Sequence, residues 1–182
     1  MIKPLTMLVQ ASLYRLGLEC ELPDDLRELA LFSELNDREE QALRRAVVGR
    51  RFHAGERVFQ EGEPGLGMYV VASGEVEILR CESGRSVAQL GVGTFFGEIA
   101  LLNEVTRMAT ARAKTESELI ILFQPAFDAL IDRHPRLGVK LLIALARIMG
   151  VRQIHTGNAL DALVQSNGRD PSERPDPPPS RS

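Results

Sequence analysis

Phe96-Gly97-Glu98-Ile99-Ala100-Leu101-Leu102-Asn103-Glu104-Val105-Thr106-Arg107-Met108-Ala109-Thr110-Ala111 is the stretch that decides how this chain folds. It places a glycine-led turn, a carboxylate, a short apolar helical run and one arginine within one loop. Amide groups at the start of a short helix are unpaired and the helix dipole is positive there, so an anion suits them. Arg107 adds a planar, permanently charged fork that can hold two phosphate oxygens. A phosphate repels Glu98, but that carboxylate can accept hydrogen bonds from a sugar hydroxyl. The parts together fit a sugar phosphate.

The same stretch resembles the phosphate-binding cassette of cyclic nucleotide-binding domains, as in the bacterial cAMP receptor protein and the regulatory subunit of cAMP-dependent kinase. That pattern runs F-G-E-[LI]-A-L-x(4)-P-R-x-A-T-[VA]. It is met at Phe96, Gly97, Glu98, Ile99, Ala100, Leu101, Arg107, Ala109, Thr110 and Ala111. The distance from Glu98 to Arg107 matches the kinase type, and the visible departure is Thr106 where proline is usual. The resemblance spans about Leu31 to Arg152. It implies that Glu98 holds the ribose 2′-hydroxyl, while Arg107 and the amides near Gly97, Ala100 and Ala109 hold the cyclic phosphate. Met108 stands where cGMP-selective relatives often carry threonine, which leans the implied ligand towards cAMP, with cGMP as the alternative. Relatives cap the purine with a residue of a late helix, and approximate spacing puts Ile148 and Arg152 there. A surface turn with an exposed ion pair would account for Gly97, Glu98 and Arg107 alone, but not for the whole cassette in frame.

Outward from the cassette, the chain changes its periodicity twice. Asn36-Asp37 followed by Glu39-Glu40 is a helix-start signal, and Ala42, Leu43, Ala46 and Val47 give an apolar stripe. After Gly49 short strands alternate with turn residues: Arg57–Gln60, Met68–Ala72, Glu75–Arg80, then Ala109–Ala113 and Glu118–Phe123. Such spacing predicts an all-β roll or barrel. The family resemblance sharpens this to a mainly β fold, an eight-stranded, jelly-roll-like β-roll with N-terminal helices and a long C-terminal helix. Pro125 suits the first turn of a helix carrying Phe127, Leu130 and Ile131, which His134-Pro135 ends. A longer helix is expected from Leu137 towards Val164. Leu137, Leu141, Ala144, Ile148 and Val151 form a heptad-like seam along it, either packed on the roll or forming a homodimer. Gly150 and Gly157 weaken that helix by roughly 1 kcal/mol each. The expected organisation is an N-terminal helical extension over 1–28, with apolar residues from Leu5 to Leu16 at helical spacing. A cyclic nucleotide-binding domain over 29–166 and a disordered Pro-rich tail over 167–182 complete it.

Composition narrows the function. With 182 residues and 44% hydrophobic content the chain can fill one core, and its net charge of −3 gives no broad footprint for nucleic acid. Cys20 and Cys81 have no metal spacing, and the expectation is reduced thiols in a cytoplasmic protein. Polar residues interrupt the apolar N-terminus, so it is not read as a signal peptide, and no run reaches the ~18 apolar residues of a membrane span. His53, His134 and His155 fall on different elements, so a jelly-roll metalloenzyme is not expected, and no catalytic residue or metal site is assigned. No nucleophile or phosphate-loop motif appears. The proline-rich stretch after the long helix is expected to leave no DNA-binding effector. The function expected is a stand-alone cyclic nucleotide sensor that acts through an unknown effector protein or a dimer. The alternative is a ligand-independent scaffold that keeps the fold.

Overall fold

A computed structural model of the chain describes residues 19–80, 84–103 and 105–167. The helix expected over Leu5–Leu18, and the disordered tail, lie outside the described residues except for Asn167. The described residues form two compact units that divide between Leu145 and Ala146.

In the first unit the helix-start signal folds as read. Asn36 accepts from the Glu39 amide at 3.0 Å, and Glu39 accepts from the Asn36 amide at 2.9 Å. This reciprocal cap satisfies two amides that the helix itself cannot, and it opens α1, Asp37–Arg44. Two short 3-10 turns precede it, Leu26–Glu28 and Ala30–Phe32, burying Leu26, Leu31 and Phe32. Residues 19 and 20, placed in the N-terminal extension, pair with the first strand: the Cys20 amide donates to the Gly49 carbonyl at 3.2 Å. Glycine is required at 49 because an added Cβ would lie 2.5 Å from the Cys20 carbonyl oxygen.

Eight strands follow: β1 Val48–Phe52, β2 Arg57–Phe59, β3 Gly67–Ser73, β4 Val76–Leu79, β5 Ser86–Leu90, β6 Phe95–Phe96, β7 Thr110–Ala113 and β8 Ser117–Phe123. They make two four-stranded antiparallel sheets, in the orders β1-β8-β3-β6 and β2-β7-β4-β5. Phe52, Val71, Phe96 and Leu119 of the first sheet pack with Val76, Ala111 and Ala113 of the second. That apolar layer is the physical reason the two sheets face each other, at roughly 1.5–3 kcal/mol for each large side chain buried. β8 is buried at six of its seven positions, so it reads as a continuous apolar run rather than an alternation.

The cassette helix, α2, spans Ile99–Leu102, and α3 spans Gln124–Arg133 with Pro125 in its first turn. α4 runs from Pro135 to Asn167, starting two residues before the expected Leu137 and passing through Gly150 and Gly157 without a break. The seam is partly relocated. Leu137 and Leu141 are 1% and 2% exposed within the chain, and the next buried residue is Leu145 rather than Ala144. An i, i+4, i+8 stripe is therefore core at the start of α4, while Val139 and Ile143 face solvent. No described helix is long and apolar enough to cross a membrane.

Candidate functional site

Arg107 is placed by backbone pairing, not by its own side chain. The turn after β2 and the segment before β7 lie antiparallel. The Arg107 amide donates to the Glu63 carbonyl at 2.8 Å, the Gly62 amide to the Arg107 carbonyl at 2.9 Å, and the Gly65 amide to the Val105 carbonyl at 2.9 Å. Thr106, where the family pattern has proline, stands opposite Pro64. Gly65 permits the approach: an added Cβ would meet the Ala100 methyl at 2.6 Å and the Val105 oxygen at 2.7 Å.

The side chain then runs inward and is 7% exposed. One terminal nitrogen donates to the Gly97 carbonyl at 3.1 Å and the other to the Gly67 carbonyl at 2.8 Å. Its Nε is buried and has no hydrogen-bond partner among the described residues. The guanidinium carbon lies 4.2 Å from the Phe59 ring centroid and 5.6 Å from that of Tyr69. Burial pushes its pKa below the ordinary arginine value, with Tyr69 and then Glu63 and Glu98 acting the other way. Among the described residues no carboxylate forms an ion pair with it. Burial similarly pushes the Tyr69 phenol up, against the pull of Arg107.

Gly97 turns the chain from β6 into α2 with φ of +71°, a left-handed conformation that glycine adopts without strain. A Cβ there would also sit 2.6 Å from a terminal nitrogen of Arg107. Glu98 occupies the N-cap position of α2, half-buried, and does not cap the helix with its side chain. Of the three amides expected to face the phosphate, that of Ala100 donates to the Gly97 carbonyl at 3.2 Å. Ala109 lies half-buried in the bend before β7. Ile99 and Met108 are 40% and 78% exposed and, with Leu66, Leu102 and Val105, give the loop an apolar outer surface. The cassette therefore brings Gly97 and Arg107 into contact, with Glu98 at the N-cap of α2 and Ile99 and Ala100 in its first turn. Ile148 and Arg152 lie on α4 in the second unit.

Sequence reasoning missed Gly67, Phe59 and Tyr69. The carbonyl of Gly67 is a backbone partner with no side-chain signature. The two aromatics read as ordinary strand residues, and only their alternation towards the same sheet interface could have singled them out. Among the described residues no three His, Cys, Asp or Glu side chains come together to hold a metal.

Comparison with known proteins identifies the family. The model of the cyclic nucleotide-binding domain matches residues 49–134. The cyclic AMP receptor protein of Thermus thermophilus is 41% identical over 101 residues, covering 54% of this chain and 47% of that one. A cAMP-dependent protein kinase regulatory subunit of Yarrowia lipolytica is 37% identical over 106 residues, covering 58% of this chain and 28% of that one. The chain thus spans less than half the length of these relatives. Among solved structures, the N-terminal domain of a transcriptional regulator from Streptomyces coelicolor superposes with a TM-score of 0.61 at 32% identity. That match covers 70% of this chain and 93% of the other. With its β-roll, its cassette and these likenesses together, the chain belongs to the cyclic nucleotide-binding domain family.

Proposed function

We propose that this chain is a cAMP-binding regulatory module whose response passes to a partner protein or to a second copy. The observation that carries this is the buried Arg107 guanidinium with no carboxylate counterion among the described residues. Burying a charge is expensive unless it is paired, and carbonyl dipoles compensate only in part. A cyclic phosphate at the guanidinium edge supplies the missing charge. Glu98, at the head of α2, then accepts from the ribose 2′-hydroxyl. Met108 carries no hydroxyl for a guanine amino group, which favours adenine. The family is regulatory rather than catalytic, so the output is a shift between conformations. Its size is limited by the difference in ligand affinity between them.

One observation favours the rival reading of a ligand-independent scaffold. Both terminal nitrogens of Arg107 already donate to carbonyls, so the loop is held without a ligand. Calorimetric titration of the purified chain with cAMP and with cGMP separates the two. One-site binding, tighter for cAMP, is expected; absence of heat with either nucleotide at millimolar concentration establishes the scaffold instead.

A further inference from the structure

Three rings and one cation meet where the two sheets close on each other beside the cassette. Phe59 ends β2 in the second sheet, whereas Tyr69 and Phe96 come from β3 and β6 in the first. Their ring centroids stand 5.6 Å apart for Phe59 and Tyr69, 5.8 Å for Phe59 and Phe96, and 5.3 Å for Tyr69 and Phe96. The Arg107 guanidinium lies over the Phe59 member of this group at 4.2 Å.

A guanidinium has a flat, weakly hydrated face and an edge that carries its five N–H donors. A ring on the face stabilises the charge and leaves the edge for other groups. A carboxylate on the edge does the opposite: it neutralises the charge and occupies the donors that an anionic ligand would need. The roll offers both arrangements. Arg50 has Phe52 on its face at 4.0 Å and Glu56 on its edge at 2.5 Å. Arg107 has Phe59 on its face, while its terminal nitrogens donate to the carbonyls of Gly67 and Gly97 and form no ion pair with a carboxylate among the described residues.

We propose that Phe59, backed by Tyr69, is a positioning residue for the cyclic phosphate: its ring takes the place of a carboxylate counterion and keeps Arg107 buried, charged and edge-on. If the phosphate lies at Arg107 as proposed above, Phe59 sets affinity without touching the ligand. A neutralised pair would have to break before the phosphate could enter, and a stacked one does not.

The test is a double-substitution cycle on the whole chain, with cAMP as the probe and calorimetry as the readout. Phe59→Leu, which keeps apolar bulk and removes the ring, is expected to lower cAMP affinity about tenfold, the scale of a partly desolvated cation–π contact. In an Arg107→Gln background the same change is expected to cost less than about twofold, because a neutral amide leaves no cation for the ring to stabilise. Phe59→Tyr, which restores a ring, is expected to recover most of the affinity lost in Phe59→Leu. Ligand-free melting checks that each variant folds, and Phe59→Met replaces Phe59→Leu should the latter not fold. An equal loss in both backgrounds would mark ordinary packing and overturn the proposal, as would wild-type affinity in Phe59→Leu. A wild-type chain that binds no cyclic nucleotide fails differently: it removes the ligand, and this role for Phe59 with it.

Discussion

Arg50 on β1 and Arg107 before β7 each lie over a phenylalanine ring, at 4.0 and 4.2 Å, and each buries an Nε without a hydrogen-bond partner among the described residues. They differ in what meets the rest of the edge. Arg50 reaches Glu56 at 2.5 Å, and Glu56 also accepts from the His53 amide at 2.9 Å, so this charge is neutralised within the fold. Arg107 meets two backbone carbonyls instead, under deeper burial. The first arrangement holds a strand to the turn that follows it. The second leaves a positive charge in a loop with no carboxylate ion pair among the described residues, which is the arrangement the proposed phosphate site calls for.

The largest expected effect comes from exchanging the two arginines as targets. Arg107→Ala is expected to remove about 3–5 kcal/mol of cAMP binding, the scale for stranding one member of a buried charge pair. Arg107→Lys is expected to recover only part of it, lacking the fork. Arg50→Ala is expected to lower folding stability by about 1.5–3 kcal/mol, the worth of a hydrogen bond to a charged group, and to leave cAMP affinity within about twofold. Titration and melting of both variants check this together. Loss of binding in Arg50→Ala as deep as in Arg107→Ala would erase the distinction between the two sites.

The next effect separates backbone strain from contact with the site. Gly97 and Gly55 both have positive φ, +71° and +83°, but an added Cβ meets Arg107 only at Gly97 and open space at Gly55. Alanine at either position is expected to cost about 1–2 kcal/mol of stability through left-handed strain. Only Gly97→Ala should also weaken cAMP, by about tenfold, because the methyl displaces the guanidinium. Equal affinities in the two variants would mean that the turn, not the arginine, governs the site.

A smaller effect is expected at Glu98. Glu98→Gln keeps the shape of the side chain but weakens its acceptance of a hydroxyl, by about 1 kcal/mol. Affinity should therefore fall for cAMP and change little for 2′-deoxy-cAMP. The same loss with both ligands would assign Glu98 another role.

The smallest concerns a carboxylate far from the cassette in sequence. Burial pushes the Glu39 carboxyl up, but the Asn36 amide and the Lys140 ammonium, at 2.9 and 2.6 Å, outweigh it and hold the pKa below its ordinary 4.5. A depressed carboxylate stabilises the fold above its unfolded-state pKa, and that contribution is lost as pH falls below about 4.5. Glu39→Gln is expected to lower stability near neutral pH by about 0.5 kcal/mol and to flatten the decline in melting temperature under acid. An acid decline as steep as that of the wild type would show that other carboxylates dominate it.

The sequence was most legible where a local rule and a long-range need coincide. The Asn36–Glu39 cap, Pro125 in the first turn of α3 and Gly97 at the cassette turn each sit where one residue type solves one backbone problem. β1 was not anticipated as a strand, because the strand pattern was read as beginning after Gly49, with Arg57–Gln60 its first member. Its glycine is required by the approach of Cys20, and its arginines pair with Glu56 and Glu118, all contacts that spacing does not reveal. The heptad seam on α4 holds at Leu137 and Leu141 and departs at its third position for a related reason. Leu141 and Leu145 satisfy helical periodicity as well as Leu141 and Ala144 do, and only the burial of Leu145 chooses between them. In the candidate site, Gly97, Glu98 and Arg107 were legible from the cassette pattern. The support of Arg107 by the Gly67 carbonyl and the Phe59 ring was not, since it depends on how the two sheets close.

The most direct measurement is a melting scan of the wild type, Arg50→Ala and Arg107→Ala, each with and without cAMP at a hundred times the wild-type Kd. A ligand that binds only the folded chain stabilises it by about 2.7 kcal/mol at that excess. A clear rise in melting temperature is predicted for the wild type and for Arg50→Ala, with none for Arg107→Ala. A rise of similar size in Arg107→Ala, or no rise in the wild type, would contradict the claim that Arg107 is held unneutralised for a cyclic phosphate.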